Sequence, residues 1–296
     1  MPGCQCASRV EHEQQRTRTA PTGARARDHR RARVGVSVHE CTRPAGTWAA
    51  LEAHDTYGLV FVRRGAFRRR GLDRDDYVGP ATAFFDWLGE QEEVLHPHNG
   101  GDTTTIFTFF TFTQHARQRF AGARDLPRQP ILTRGAIDLA HYRLVAGACR
   151  CMDAFEGEER FAELVGLLIE QPVPARLTAA RPATHHAHRR MVENVKEVIA
   201  LDPAGSDLPS LASVTGHSTF HLSRVFRQQT GLTLSQFRNR VRVVAAIELT
   251  EAGLMDLAAI AQQLGFSDQA HRTRVMRSEL GAPPGHIQRL LTARVA

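Results

Sequence analysis

The stretch Leu208-Pro-Ser-Leu-Ala-Ser-Val-Thr-Gly-His-Ser-Thr-Phe-His-Leu-Ser-Arg-Val-Phe-Arg-Gln-Gln-Thr-Gly231 carries the clearest fold signal in the chain. It predicts a short helix, a tight turn at Gly216 and a second helix that ends at Gly231, because glycine readily takes the left-handed conformation that ends helices. The apolar residues of the two helices can pack together, which leaves Arg224 and Arg227 facing outward. The pattern is that of a helix-turn-helix unit, and its predicted contact residues are Leu211, Ala212, Val214, Leu222, Val225 and Phe226.

The same pattern returns about 48 residues later. Residues 256–265 predict a second short helix, and residues 269–280 predict a second outer helix closed by Gly281. Between the two units, residues 234–251 predict a helix of ~18 residues and therefore ~27 Å. With the turns at its ends, this helix can place the two outer helices about one DNA turn apart, ~34 Å. The tandem spacing predicts that one chain reads two successive major-groove segments.

The two units and the helix between them resemble the AraC/XylS family of bacterial transcription regulators. The resemblance covers residues 188–292, and it implies an N-terminal sensing or dimerisation domain, commonly a cupin-like barrel. The motifs that carry it are Gly216-His-Ser-Thr-Phe-His-Leu-Ser-Arg-Val-Phe-Arg227, Thr230-Gly231, Leu264-Gly-Phe-Ser-Asp-Gln269, Arg274-Val-Met-Arg-Ser-Glu-Leu-Gly281 and Pro283-Pro284.

The resemblance also implies a set of DNA-binding residues on the two recognition helices. We expect Arg224 and Arg274 to read bases, since a guanidinium can bind O6 and N7 of guanine together. We expect Arg227 and Arg277 to bind phosphates, which adds affinity and salt dependence without sequence information. The full expected set is Thr219, Phe220, Ser223, Arg224 and Arg227 on the first helix, with Gln269, Ala270, His271, Thr273, Arg274 and Arg277 on the second.

Arg272 departs from the family pattern, which has a buried apolar residue at its position in the second recognition helix. A buried charge without a partner would cost several kcal/mol. We therefore expect Arg272 to extend its charged end to solvent, or the helix to be displaced. If the second unit docks poorly, specificity rests mainly on the first.

Ahead of these units, the fold class is predicted to be α+β. From about residue 34, short β-like runs bounded by Gly, Pro and Asp suggest an antiparallel sandwich or barrel, and two helical patterns follow from residue 136. We therefore divide the chain into a disordered basic tail (1–33), a cupin-like sensor or dimerisation domain (34–170), a proline-rich linker (171–185) and a DNA-binding domain (186–296).

The charge is concentrated at the two ends of the chain. The net charge of the chain is +7. Residues 1–33 contain eight Arg and three acidic residues, and residues 186–296 contain 13 basic and nine acidic residues. This distribution favours a polyanionic partner. The chain has no run of 18 or more apolar residues and no secretory signal at its N-terminus. We therefore expect a cytoplasmic protein without a membrane partner.

The residues that resemble a metal site lie in the front domain. His96-Pro-His98 with Asp102 could bind a metal ion, but the proline and the following Gly-Gly read equally well as a turn, and we predict a structural loop.

Four of the five cysteines form two closely spaced pairs, Cys4-x-Cys6 and Cys149-x-Cys151. These pairs lack the usual zinc spacing, so we expect reduced thiols, with a redox or metal sensor as the alternative. No cofactor and no metal are predicted.

The leading hypothesis is a sequence-specific regulator of double-stranded DNA that responds to a small effector and has no catalytic residues. His54, Asp55, Arg63 and Arg64 could line the effector pocket. RNA polymerase and a second copy of the chain are the further partners considered. One alternative is a metal-dependent cupin enzyme, or a cysteine-reactive DNA-repair enzyme, fused to a DNA-binding module. Another is a regulator whose front domain only mediates dimerisation or binds a partner.

Overall fold

A computed structural model describes residues 34–41, 44–50, 53–54, 56–71, 74–99, 101–109, 127–150, 152–171, 182–252 and 257–292. The predicted basic tail, Asp55 and most of the predicted linker lie outside these ranges. None of the helices within them combines the length and apolar character needed to cross a bilayer.

The front domain begins with strands that form two antiparallel sheets. The five-stranded sheet has the order β1-β8-β3-β6-β9, and the four-stranded sheet has the order β2-β7-β4-β5. The strand bounds are β1 (Val34–Cys41), β2 (Ala49–Ala50), β3 (Tyr57–Arg64), β4 (Phe67–Gly71), β5 (Arg74–Val78), β6 (Thr82–Asp86), β7 (Glu93–Leu95), β8 (Asp102–Phe109) and β9 (Ile131–Leu132).

Strand β3 is buried on both faces because it lies in the middle of a three-layer domain. Leu59 and Phe61 face two helices that cover the five-stranded sheet. Val60 and Val62 alternate with them and face the four-stranded sheet. The β-rich front domain followed by two helices is confirmed, whereas the described strands form two separate sheets that are not joined into a closed cupin-like barrel.

The helices account for the rest of the described chain. Helices α1 and α2 pack on the five-stranded sheet, and the helices from α3 onward form the two helix-turn-helix units. Helix α3 begins at Pro182, inside the segment that we predicted to be a linker. The bounds are α1 (Gly135–Cys149), α2 (Ala154–Ile169), α3 (Pro182–Leu201), α4 (Leu208–Thr215), α5 (Thr219–Thr230), α6 (Leu234–Glu251), α7 (Leu257–Gln263), α8 (Gln269–Leu280) and α9 (Pro284–Thr292).

Helix α6 joins the two units by contributing to both of their cores. Its first half packs Leu234, Phe237 and Val241 into the first core, with side chains of α3, α4 and α5. Its second half packs Val243, Ala246 and Ile247 into the second core, with side chains of α8. The predicted linker helix over residues 234–251 is confirmed.

Candidate nucleic-acid interface

The first recognition helix, α5, has well-defined ends. The Ser218 side chain accepts a hydrogen bond from the backbone N–H of His221 at 3.2 Å, so it satisfies one of the donors that a helix start leaves unpaired. At the other end, Gly231 adopts φ 73° and its N–H bonds to the carbonyl of Arg227. Both signals are local in the sequence, and the helix predicted over residues 220–230 is confirmed with its start at Thr219.

One side of α5 is open to solvent. Leu222, Val225 and Phe226 are buried, as predicted, and they hold the helix against α3 and α4. Val214 of α4, which was also predicted to pack there, is 60% exposed. The opposite side presents polar, cationic and aromatic groups to any ligand that approaches the protein. Thr219, Phe220, Arg224 and Arg227 are exposed there, Phe220 to 77%, and Ser223 is half-buried.

The second recognition helix, α8, repeats this construction. Asp268 caps its start by accepting from the N–H of His271 at 2.6 Å, and Gly281 ends it with φ 72°. The first turn has a further internal bond, from the Thr273 hydroxyl to the carbonyl of Gln269 at 2.8 Å. Of the predicted set, Gln269, Ala270, Arg274 and Arg277 are exposed, and His271 and Thr273 are half-buried.

The order of buried and exposed residues in α8 matches that in α5 position by position over residues 221–230 and 271–280. Arg272 therefore occupies the place of Leu222, and it is buried with only 1% of its surface exposed. The expectation that Arg272 extends to solvent is wrong. Helix α8 keeps the same buried positions as α5, because Val275 and Met276 still pack into the second core. The guanidinium of Arg272 is enclosed with them.

The two units also touch each other directly, at the loop that precedes α4. Arg242 of α6 donates to the carbonyls of Pro203 and Ala204 at 2.8 and 3.2 Å, and burial lowers the pKa of its guanidinium to about 10. Ala204 in turn lies against Gly265, the turn glycine of the second unit, where an added Cβ would come within 2.8 Å of the Ala204 backbone. These contacts fix the position of one recognition helix relative to the other.

A histidine cluster beside α5 was missed by the sequence reasoning. The rings of His217 and His188 lie 5.1 and 5.7 Å from that of His221, and Arg224 donates to Nδ1 of His221 at 3.4 Å. Burial, together with the nearby His221 and Arg224, lowers the pKa of His188. The available signal was the His-His-Ala-His run at residues 185–188, which α3 brings to the recognition helix.

The front domain contacts α6, and it also contacts α3 through the ion pair between Arg68 and Glu193. Arg63 is paired with Glu248 at 2.5 Å and with Glu251, and the Tyr142 hydroxyl donates to Glu248 at 2.5 Å. Arg63 is 7% exposed. Arg63 therefore connects the front domain to α6.

Two sequence comparisons assign the family. A family model described as a helix-turn-helix domain matches residues 211–290, which include both recognition helices. The HTH-type transcriptional regulator YbfI of Bacillus subtilis is 30% identical over 225 residues, which cover 74% of this chain and 79% of the relative. The chain belongs to the AraC family of transcriptional regulators.

The arabinose operon regulatory protein of Escherichia coli is a further relative of this AraC-family chain, 30% identical over 141 residues. That match covers 46% of this chain, and the chain spans about half (48%) of the relative's length. Among solved structures, ToxT from Vibrio cholerae is 10% identical with a TM-score of 0.35, over 88% of this chain and 99% of that chain. Because this TM-score is low, the assignment rests on the sequence relatives.

Proposed function

We propose that this AraC-family regulator binds double-stranded DNA by placing α5 and α8 in two successive major-groove segments. The observation that carries the proposal is the matched exposure of the two helices. Arg224 and Arg274 occupy the same position of each helix, as do Arg227 and Arg277, and all four are exposed. Two identical cationic patterns on one rigid support are suited to a ligand that repeats its own geometry, as duplex DNA does every turn.

In this proposal the four arginines divide their roles by position along the helix. Arg224 and Arg274 lie nearer the helix N-terminus, the part of a recognition helix that contacts base edges, and they read guanine. Arg227 and Arg277 lie one turn further along and bind phosphates. The exposed Phe220 and Ala270 occupy matching positions near the helix starts, where an apolar side chain can contact a thymine methyl group.

We further propose that the front domain, a cupin-like sensor of a small effector, acts on DNA binding through α6. The support is its docking site: Arg63 and Tyr142 hold the helix that both cores share. A ligand can shift this docking only if its affinity differs between the docked and released states. The named relatives are regulators, and we assign no catalytic step to this chain.

Selection of bound sequences from a random DNA library, at two salt concentrations, tests the DNA-binding proposal. We expect an enriched motif of two short blocks about one helical turn apart. A single block would assign specificity to one unit alone. Binding without enrichment that disappears at higher salt would mean electrostatic association only, and it would overturn the proposal.

A further inference from the structure

Three side chains with metal-binding atoms meet at one edge of the front domain, where its two sheets approach each other. Cys41 is the last residue of β1 and pairs with Asp102, the first residue of β8, so their side chains lie on the same face. His96 directly follows β7 in the other sheet. The thiol sulfur, a carboxylate oxygen and an imidazole nitrogen all lie within 4.8 Å of one another.

The position of each group is fixed by the fold. His96 and Asp102 are 3% and 5% exposed, and Nε2 of His96 is hydrogen-bonded to Oδ2 of Asp102 at 2.5 Å. The His96 carbonyl accepts from the N–H of Gly46 at 3.0 Å. Gly65, with φ 71°, lets the backbone at Asp102 come close, since an added Cβ would lie 2.7 Å from the Asp102 Cα. His96 and Asp102 are therefore held in place and shielded from bulk water, while Cys41 is half-buried.

We propose that Cys41, His96 and Asp102 form a zinc-binding site that joins the two sheets. Thiolate, imidazole and carboxylate together are a ligand set that Zn²⁺ accepts, whereas a site of oxygen ligands alone would suit Mg²⁺ or Ca²⁺. Tetrahedral zinc needs its ligand atoms roughly 3.2–3.7 Å apart. The His96–Asp102 pair has only to separate by less than ~1.5 Å to admit the ion, and water fills the fourth position.

The ligand set differs from the His-x-His pair that the sequence suggested. His98 turns away from His96, and its Nε2 contacts Glu197 of α3 at 2.5 Å. The third ligand is Cys41 instead of His98, although Cys41 is 55 positions away from His96 in the chain.

Cobalt substitution in the whole chain of residues 1–296 tests the site. Co²⁺ reports its own ligands, because a thiolate gives a charge-transfer band in the near ultraviolet and tetrahedral geometry gives intense visible bands. The other cysteines are first replaced in a C4S/C6S/C149S/C151S variant, so that Cys41 is the remaining thiol. We expect one Co²⁺ per chain, a thiolate band, and displacement of Co²⁺ by one equivalent of Zn²⁺.

Two substitutions in that background decide between a site and adventitious binding. Cys41→Ser should remove the thiolate band, and Asp102→Asn should weaken zinc binding by more than the roughly 10- to 100-fold that loss of an outer partner costs. Equal melting temperatures without metal show that each variant folds. A thiolate band that persists in Cys41→Ser, or a zinc affinity unchanged by Asp102→Asn in a folded variant, would overturn the proposal.

Discussion

Tyr142, in the first helix of the front domain, donates its hydroxyl to Glu248 of α6 at 2.5 Å while its ring packs in the core of the second helix-turn-helix unit. The Tyr142 side chain thus extends from the front domain into the core of the second helix-turn-helix unit. The same Glu248 carboxylate is paired with Arg63, whose guanidinium lies 4.8 Å from the centre of the Tyr142 ring. Arg63, Tyr142 and Glu248 therefore form one of the polar contacts between the two domains, at the end of the helix that supports both recognition helices.

Replacing Arg63 with Met should destabilise the protein by about 3 kcal/mol or more, because Glu248 and Glu251 would lose the cation that faces them in a largely buried site. Urea unfolding at pH 7 measures the change. Arg160→Met is the matched control, since Arg160 pairs with Glu156 on an exposed helix surface, where a salt bridge contributes about 0–1 kcal/mol. Similar losses in the two variants would contradict the role of Arg63 between the domains.

Replacing Arg224 with Ala should weaken binding to the selected operator by about 1–3 kcal/mol and relax preference at one base position, because a bidentate contact is lost. Kd values for the operator and for a scrambled duplex at one salt concentration measure this effect. Gln228→Ala, at an exposed position of the same helix, is the control. An equal loss on both duplexes would assign Arg224 to the phosphates instead.

Arg227→Ala should weaken binding to operator and scrambled DNA alike, since a phosphate contact carries no sequence information. The slope of log K against log salt should become less steep by about 1, because one fewer counterion is released. Titrations at four or more salt concentrations give the slope. A loss confined to the operator, with the slope unchanged, would show that Arg227 reads a base.

Asp138 predicts a pH dependence of stability. Its carboxyl is buried, accepts from the Thr133 hydroxyl at 2.6 Å, and has its pKa raised by burial from 3.8 to about 7. A raised carboxyl pKa means that the folded state holds its proton while the unfolded chain has already ionised. The stabilisation is present below pH 3.8 and is lost as the pH rises through about 7.

Asp138→Asn removes this dependence, because an amide stays neutral and can still accept from Thr133. Relative to the wild type, the variant should gain stability between pH 4 and 7 by up to about 4 kcal/mol, because the wild-type carboxyl pKa is raised to about 7 in the folded state. Urea unfolding at pH 5 and pH 8 provides the measurement, with the exposed Glu170→Gln as control. A constant difference between wild type and variant across this range would show that Asp138 does not titrate there.

The helix-turn-helix region was predictable because its signals are local. The caps and the glycines at residues 231 and 281 determine where the recognition helices end, and the apolar spacing determines which side is buried. The contacts between the domains were not predictable, since the partners Arg63 and Glu248 are 185 residues apart. In the same way, strand pairing alone brings Cys41 beside Asp102.

Arg272 shows a different limit of structure prediction from the sequence. A charge at a core position predicted exposure or displacement of the helix, but the packing of Val275 and Met276 and the cap at Asp268 outweigh the preference of a single side chain. Tertiary context decided the outcome, and one residue's solvation preference did not. The described strands form two separate sheets and no closed barrel, a matter of long-range geometry that the alternation of short strands does not encode.

Since both recognition helices are built onto α6, and Ala204 abuts Gly265 between them, the protein has little freedom to adjust the separation of its two reading surfaces. The spacing between the two half-sites of an operator should then affect binding independently of the base sequence of either half-site. One base pair inserted between the two half-sites would turn the second by ~35° around the duplex axis. In the proposed binding mode, such an insertion prevents α5 and α8 from contacting their half-sites together, although every contacted base is intact.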